Sequence, residues 1–352
     1  MARTPVEKLV IGGQLIEPGG KYTIDIPVAP MYTHDNLSIS VQVVSGKRPG
    51  PVMFVCAAIH GDEINGVEII RRLLKDPQLK RLKGTLIAIP IVNVYGFINH
   101  TRYLPDGRDL NRSFPGSTRG SLTGRIAHTF MREIVAHCTY GIDLHTGARH
   151  RSNFPQIRAN LEDEATLAMT EAFGAPLAID AKIRDGSLRG AAGDIGVPVL
   201  LYESCEALRF DEIYIRAGVK GVLNVMRHLG MLRKSRAKVK KPLISRNTFW
   251  LRAPESGILR VLVPLGAEVQ EGQTIGIIAD PLGTSEVDVV AEAPGIVIGR
   301  TNLPLVYEGD ALFHIASVDR RRKWEVEAFH EDHLPGEEDH DPEDMSSAPI
   351  AD

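Results

Sequence analysis

The period of the hydrophobic positions changes along this chain, and each change marks an element. From Leu37 to Val44 (L-S-I-S-V-Q-V-V) apolar and polar residues alternate, the pattern of a strand with one buried face. From Val52 to Ile59 the run is apolar and follows Gly50-Pro51, which predicts a strand buried on both faces. Beyond it Val67, Ile70, Leu73 and Leu74 return at helical spacing, so the chain turns from strand into amphipathic helix.

The same reading continues along the chain. Thr85 to Val92 is a second buried strand, followed by a long polar loop from Asn93 to about Leu122. Ser121 to Cys138 reads as a helix with Ile126, Phe130, Ile134 and Cys138 on one face, His128 and His137 lying off that stripe on solvated surface. Gly141 to Leu144 and Pro198 to Tyr202 are short buried strands, the second ending at Glu203. Helices are expected over Glu162 to Phe173, stopped by Gly174, and Asp211 to Leu229, stopped by Gly230. Strands alternating with helices predict an α/β fold, a mixed and largely parallel sheet with helices on both faces. Residues 1–50, with turns at Gly12-Gly13 and Pro18-Gly19-Gly20, give it an antiparallel start.

A basic linker, Arg233 to Pro242, closes a first domain at residues 1–240. Residues 241–320 form a small all-β domain with a weak internal repeat, A-P-E-S-G-I-L echoed by A-E-A-P-G-I-V. This resembles a barrel-sandwich of the biotinyl/lipoyl carrier type. Such carriers need a modifiable lysine, however, and none occurs between Lys241 and Lys323. The module is therefore assigned a structural or oligomerisation role, a homo-oligomer being one use of it. Residues 321–352 form an acidic tail expected to be disordered, with His330, His333 and His340 as solvated side chains.

Charge sharpens this picture. Of 44 acidic residues eleven fall from Glu325 onward, which leaves the body 33 against 41 Lys and Arg. A modestly basic body suits small anionic substrates. No basic stripe with interleaved aromatics argues for nucleic acid, and no apolar run is long enough for a membrane span. Cys56, Cys138 and Cys205 have neither disulfide nor zinc-finger spacing and read as buried thiols of a cytoplasmic protein.

The chemistry sits at strand ends. His60 and Glu63 leave one strand-to-helix turn three residues apart, where an imidazole and a carboxylate can reach one metal ion. His145 and Glu203 follow two further strands, so all four can meet at one sheet edge. Two histidines and one glutamate form a catalytic zinc set with the fourth position left to water, and Glu203 stays off the metal as general base. Asp143 is placed either to orient His145 or another ligand or, equally, to accept a hydrogen bond from a loop amide. The loop adds Arg102, Arg108, Arg112 and Asn111, of which Arg108 is the most readily structural; guanidinium groups bind carboxylates and stabilise oxyanions.

In order, His60-Gly61-Asp62-Glu63, Arg102 with Asp109-Leu110-Asn111-Arg112, Asp143-Leu144-His145-Thr146 and Glu203 resemble the motifs of the succinylglutamate desuccinylase/aspartoacylase family, of zinc carboxypeptidase-like fold. The resemblance implies one zinc per chain on His60, Glu63 and His145, with Glu203 as general base and acid. It implies further that Arg102 polarises the scissile carbonyl and that Asn111 with Arg112 holds the substrate carboxylate. Arg189 is a candidate for a second anionic group. Two departures stand out. The Arg102–Asn111 loop is two residues longer than in aspartoacylases, and Ser204-Cys205-Glu206 follows Glu203, so Glu206 competes for the base role. The expected activity is a zinc amidohydrolase removing an acyl group from an N-acyl amino acid or a similar small carboxylate. The alternatives are a zinc carboxypeptidase acting on short peptides and a non-catalytic metal- or ligand-binding protein on the same fold.

Overall fold

A computed structural model describes residues 9–30, 36–318, 329 and 331–334. Most of the tail at residues 321–352, with His330 and His340, falls outside these residues; within the described part Phe329 is buried, its ring centroid 5.6 Å from that of Phe154. His333 is described, its Nδ1 2.8 Å from the Phe329 carbonyl oxygen.

Strands β1 (Lys21–Pro30) and β2 (Asn36–Ser45) pair antiparallel, as the alternation of Leu37 to Val44 predicts. The sheet continues through β3 (Arg48–Ala57), helix α1 (Asn65–Lys75) and β4 (Lys83–Ile89), with β3 and β4 parallel. The unbroken apolar run of β3 is explained by what lies on either side of it. Phe54 and Cys56 enter one core, whereas Met53, Val55 and Ala57 enter the core on the opposite face. Helix α2 (Leu122–Glu133) covers the first face, its N-terminus capped by the Ser121 hydroxyl. It is followed by a 3₁₀ turn at Val135–His137 rather than by continuous helix to Cys138.

Next come β5 (Tyr140–Gly147), β6 (Arg151–Ala159), α3 (Glu164–Phe173), β7 (Leu177–Asp180), β8 (Val199–Glu206) and α4 (Glu212–His228). β8 and β3 flank β5, both parallel to it, while β6 runs antiparallel to β8. The helix α4 seats closely on α3 because Gly221 presents no side chain there; a Cβ would stand 2.1 Å from the Phe173 ring. The hydrophobic pattern had not shown β6 or β7. In β6 the sequence R-S-N-F-P-Q-I-R-A carries Pro155 and two arginines, which obscure a strand signature.

The C-terminal part is joined to this sheet. β9 (Leu243–Ser245) lies parallel to β7, and β10 (Asn247–Arg252), β11 (Gly295–Thr301) and β12 (Ala311–Ser317) extend the sheet beyond β6. The junction is the antiparallel pair of β11 with β6, Gly299 opposite Asn153 and Thr301 opposite Arg151. A separate four-stranded sheet, including Gly257–Val261 and Thr274–Ala279, closes over a core of its own with Leu259, Ile275, Ile278 and Phe313. No described helix is long and apolar enough to cross a membrane.

Candidate active site

The turn after β3 is held by the turn after β4: the Val92 and Asn93 amides donate to the Ala57 and Ala58 carbonyls. Within it, the Glu63 amide donates to the His60 carbonyl at 3.0 Å, which brings both side chains to one side. Gly61 is needed there. A Cβ at this position would lie 2.0 Å from the Gly96 carbonyl carbon and 2.2 Å from the Phe97 nitrogen, both backbone. Gly61→Ala should push the two turns apart and move His60. Expected results are a lower melting temperature and weakened metal uptake, read by thermal unfolding with and without zinc; an unchanged protein would remove this role from Gly61.

His60, Glu63 and His145 converge in the buried interior of this edge, their donor atoms all within 4.8 Å of one another. Glu63 lies between the imidazoles, its Oε1 2.7 Å from His60 Nδ1 and its Oε2 2.7 Å from His145 Nδ1. The Thr146 amide also donates to Oε2, at 3.1 Å. Each outer imidazole nitrogen meets an aspartate: His145 Nε2 is 2.7 Å from Asp143, and His60 Nε2 is 3.2 Å from Asp109. Two imidazoles and a carboxylate with aspartates behind them match the donors and the supporting carboxylates of zinc sites, whose ligand distances are roughly 2.0–2.2 Å. The residues therefore fit a zinc ion.

The electrostatics follow from this packing. Burial acts to raise the Glu63 pKa, but the charges of His60 and His145 overcome it and hold the carboxyl far below its usual range. Burial likewise opposes a charge on His145, and Asp143 and Glu63 outweigh it and raise the imidazole well above its ordinary value. Asp109 ties this centre to the loop: Arg102 donates to it at 2.8 Å and also reaches Glu63 at 3.2 Å.

Glu203 stands opposite His145 in the parallel register of β8 and β5 and lines the same cavity, of about 560 Å³. Its nearest charged partner is Arg158, at 3.6 Å. The competitor Glu206 is engaged elsewhere. The register shifts between Glu203 and Glu206, with Cys205 in the left-handed region at φ 72°. Past this bulge Glu206 accepts from the His150 amide at 2.8 Å and from Asn302 at 2.9 Å, and so joins the C-terminal module to the core. Asn111, Arg112 and Arg189 line the cavity, whereas the exposed Arg108 does not. Asn111 Oδ1 accepts from the Leu188 amide at 2.9 Å, which fixes the segment carrying Arg189 and leaves its Nδ2 donors for a ligand. Burial, and then Arg158, push the Arg189 pKa down to about 10, and its Nη1 is buried with no partner among the described residues.

Several cavity residues escaped the sequence reading. Arg158 and Arg184 come from β6 and the following connections, and Trp250 and His314 from β10 and β12 of the C-terminal module. The Trp250 and His314 rings stack at 4.5 Å and 7°, and burial together with Arg158 and Arg184 pushes the His314 pKa down to about 3. Only Asp109 had left a trace, inside Asp109-Leu110-Asn111-Arg112. A larger cavity of about 810 Å³ shares Arg184 and Arg189 but holds none of the three metal-type ligands, so the chemistry belongs to the smaller one.

Comparison with known proteins agrees with this geometry. Residues 49–229 match the succinylglutamate desuccinylase/aspartoacylase catalytic domain, more than half of the chain. The chain belongs to this family. As a family member it is a deacylase, a hydrolase of non-peptide amide bonds. Over 303 residues, 80% of the chain and 86% of the relative, it is 29% identical to N-alpha-acetyl-L-2,4-diaminobutyric acid deacetylase of Halomonas elongata. Among solved structures, it is similar to a succinylglutamate desuccinylase/aspartoacylase from Rhodobacter sphaeroides, with a TM-score of 0.76 and 25% identity over 87% of this chain and 97% of that one. The ectoine utilization protein EutE (DoeB) of Ruegeria pomeroyi gives a TM-score of 0.75 and 24% identity over 89% and 99%. In the family member described here, the appended strands β10 and β12 supply part of the cavity wall, a use that the missing lysine had not indicated.

Proposed function

We propose that this family member is a zinc-dependent amidohydrolase that removes an acyl group from an anionic N-acyl amino acid or a related small carboxylate. The observation that carries the reading is the meeting of the His60–Glu63–His145 set and Glu203 in one cavity lined by six arginines and Lys182. Zinc held by the three ligands would supply an activated water and a polarised carbonyl. Glu203 takes the proton of the attacking water and returns it to the leaving nitrogen. Arg102, fixed by Asp109, turns its remaining donors to the carbonyl oxygen as negative charge develops there. Arg112 and the Nδ2 of Asn111 receive the substrate carboxylate, and Arg189, with its unpartnered Nη1, receives a second anionic group.

The cationic lining favours substrates of net negative charge over the amine-bearing substrate in the name of the Halomonas relative. The test is zinc analysis joined to a hydrolysis screen over N-acetyl, N-succinyl and N-formyl amino acids and short peptides. Cleavage of peptides with N-acyl amino acids left intact would sink the reading. Arg112→Ala should weaken carboxylate substrates by about tenfold or more, the loss of one charged hydrogen bond, and leave the corresponding amides little changed. Equal losses for both would take the recognition role from Arg112. We place the enzyme in the cytoplasm, in keeping with three buried free thiols.

A further inference from the structure

Asp143 is buried at 1% exposure, and its carboxylate has two partners among the described residues. Oδ2 meets His145 Nε2 at 2.7 Å, and Oδ1 meets the Cys56 sulfur at 3.4 Å. The parallel register of β3 and β5 sets Cys56 directly beside Asp143. A buried carboxylate oxygen with no donor is costly, and here the thiol is the donor. Cys56 itself is fully buried; burial first, and the Asp143 charge second, keep the sulfur protonated and able to donate.

The choice of donor matters to the histidine. A thiol is a weak donor, so it holds Oδ1 in place while drawing little charge from the carboxylate. The carboxylate then pulls strongly on the His145 Nε2 proton, which fixes the ring and makes Nδ1 a better ligand. We infer that Cys56 is a positioning residue for the metal site, its S–H donating to Asp143 and thereby aligning His145. This rests on the reading of His145 as a zinc ligand.

The test compares Cys56→Ala, Cys56→Ser and Cys138→Ala with the parent protein. Cys138 lies in the same core but donates to the Ile134 carbonyl, so its loss reports core damage alone. Two readouts are independent of turnover: zinc affinity by competition with a chelator, and the infrared S–H stretching band that disappears in Cys56→Ala. Cys56→Ala should bind zinc about tenfold more weakly. Cys56→Ser, which keeps a hydroxyl donor, should fall between it and the parent, and Cys138→Ala should match the parent. The Cys56 band should lie at the lowered frequency of a thiol bonded to an anion. Parent-like zinc affinity in Cys56→Ala, an equal loss in Cys138→Ala, or a free-thiol band each overturns the inference while leaving the metal site standing. A parent protein that takes up no zinc overturns both.

Discussion

Glu203→Ala is expected to cut turnover by about 10²–10⁴-fold while the protein still binds one zinc per chain. The expectation comes from position. Glu203 is paired with His145 across β8 and β5 and lines the same cavity, but it is not one of the three converging ligands His60, Glu63 and His145. The loss should therefore fall on kcat rather than on metal content. Glu206→Ala is the matched control. Its carboxylate holds His150 and Asn302, so its removal should lower the melting temperature and spare most of the turnover. If Glu203→Ala kept parental turnover on a confirmed substrate, or if Glu206→Ala showed the larger kinetic loss, the base would have been assigned to the wrong residue.

Replacing a ligand histidine should abolish stoichiometric zinc and activity together, and the two histidines should differ in what else they cost. His145→Ala takes the imidazole from two buried carboxylates, Asp143 at 1% exposure, left with the weak Cys56 donor alone, and Glu63 at 2%, which keeps His60 and Arg102. His60→Ala strands Glu63 in part, but Asp109 keeps Arg102 and Glu63 keeps His145. Breaking a buried ion pair from one side costs about 3–5 kcal/mol, so metal-free His145→Ala should unfold well before metal-free His60→Ala. The pH dependence has a definite sign. Glu63 is depressed in the folded state, so its stabilisation is fully present above its unfolded value of about 4.3 and is lost as pH falls through the folded value. Acid unfolding of the metal-free protein should thus be shallower in His145→Ala than in the parent. Zinc content and thermal melts across pH check this; a His145→Ala protein with parental zinc would sink the proposed metal centre.

How much of this was legible beforehand depends on the distance over which each feature is set. The pair His60 and Glu63 could be read because one apolar strand, one turn and one amphipathic helix are all written within Val52 to Leu74. His145 and Glu203 followed from the same logic, each at the end of a short apolar run. The strand β6 was missed because its inward and outward faces both carry polar side chains, and with it went Arg158. Trp250 and His314 could not be linked to the cavity, since nothing local says that β11 pairs with β6.

By itself the sequence determined the α/β architecture, the positions of the strand ends and the residue types brought to them, because hydrophobic periodicity and turn chemistry act between near neighbours. The tertiary structure alone decided which glutamate faces the cavity, that Asp109 stands behind His60, and that the C-terminal strands complete the cavity wall. Those outcomes hang on strand register and on a single bulge at Cys205, where a shift of one residue sends a side chain to the opposite face. Register is fixed by contacts between segments about 60 to 150 residues apart, and no local pattern carries that information.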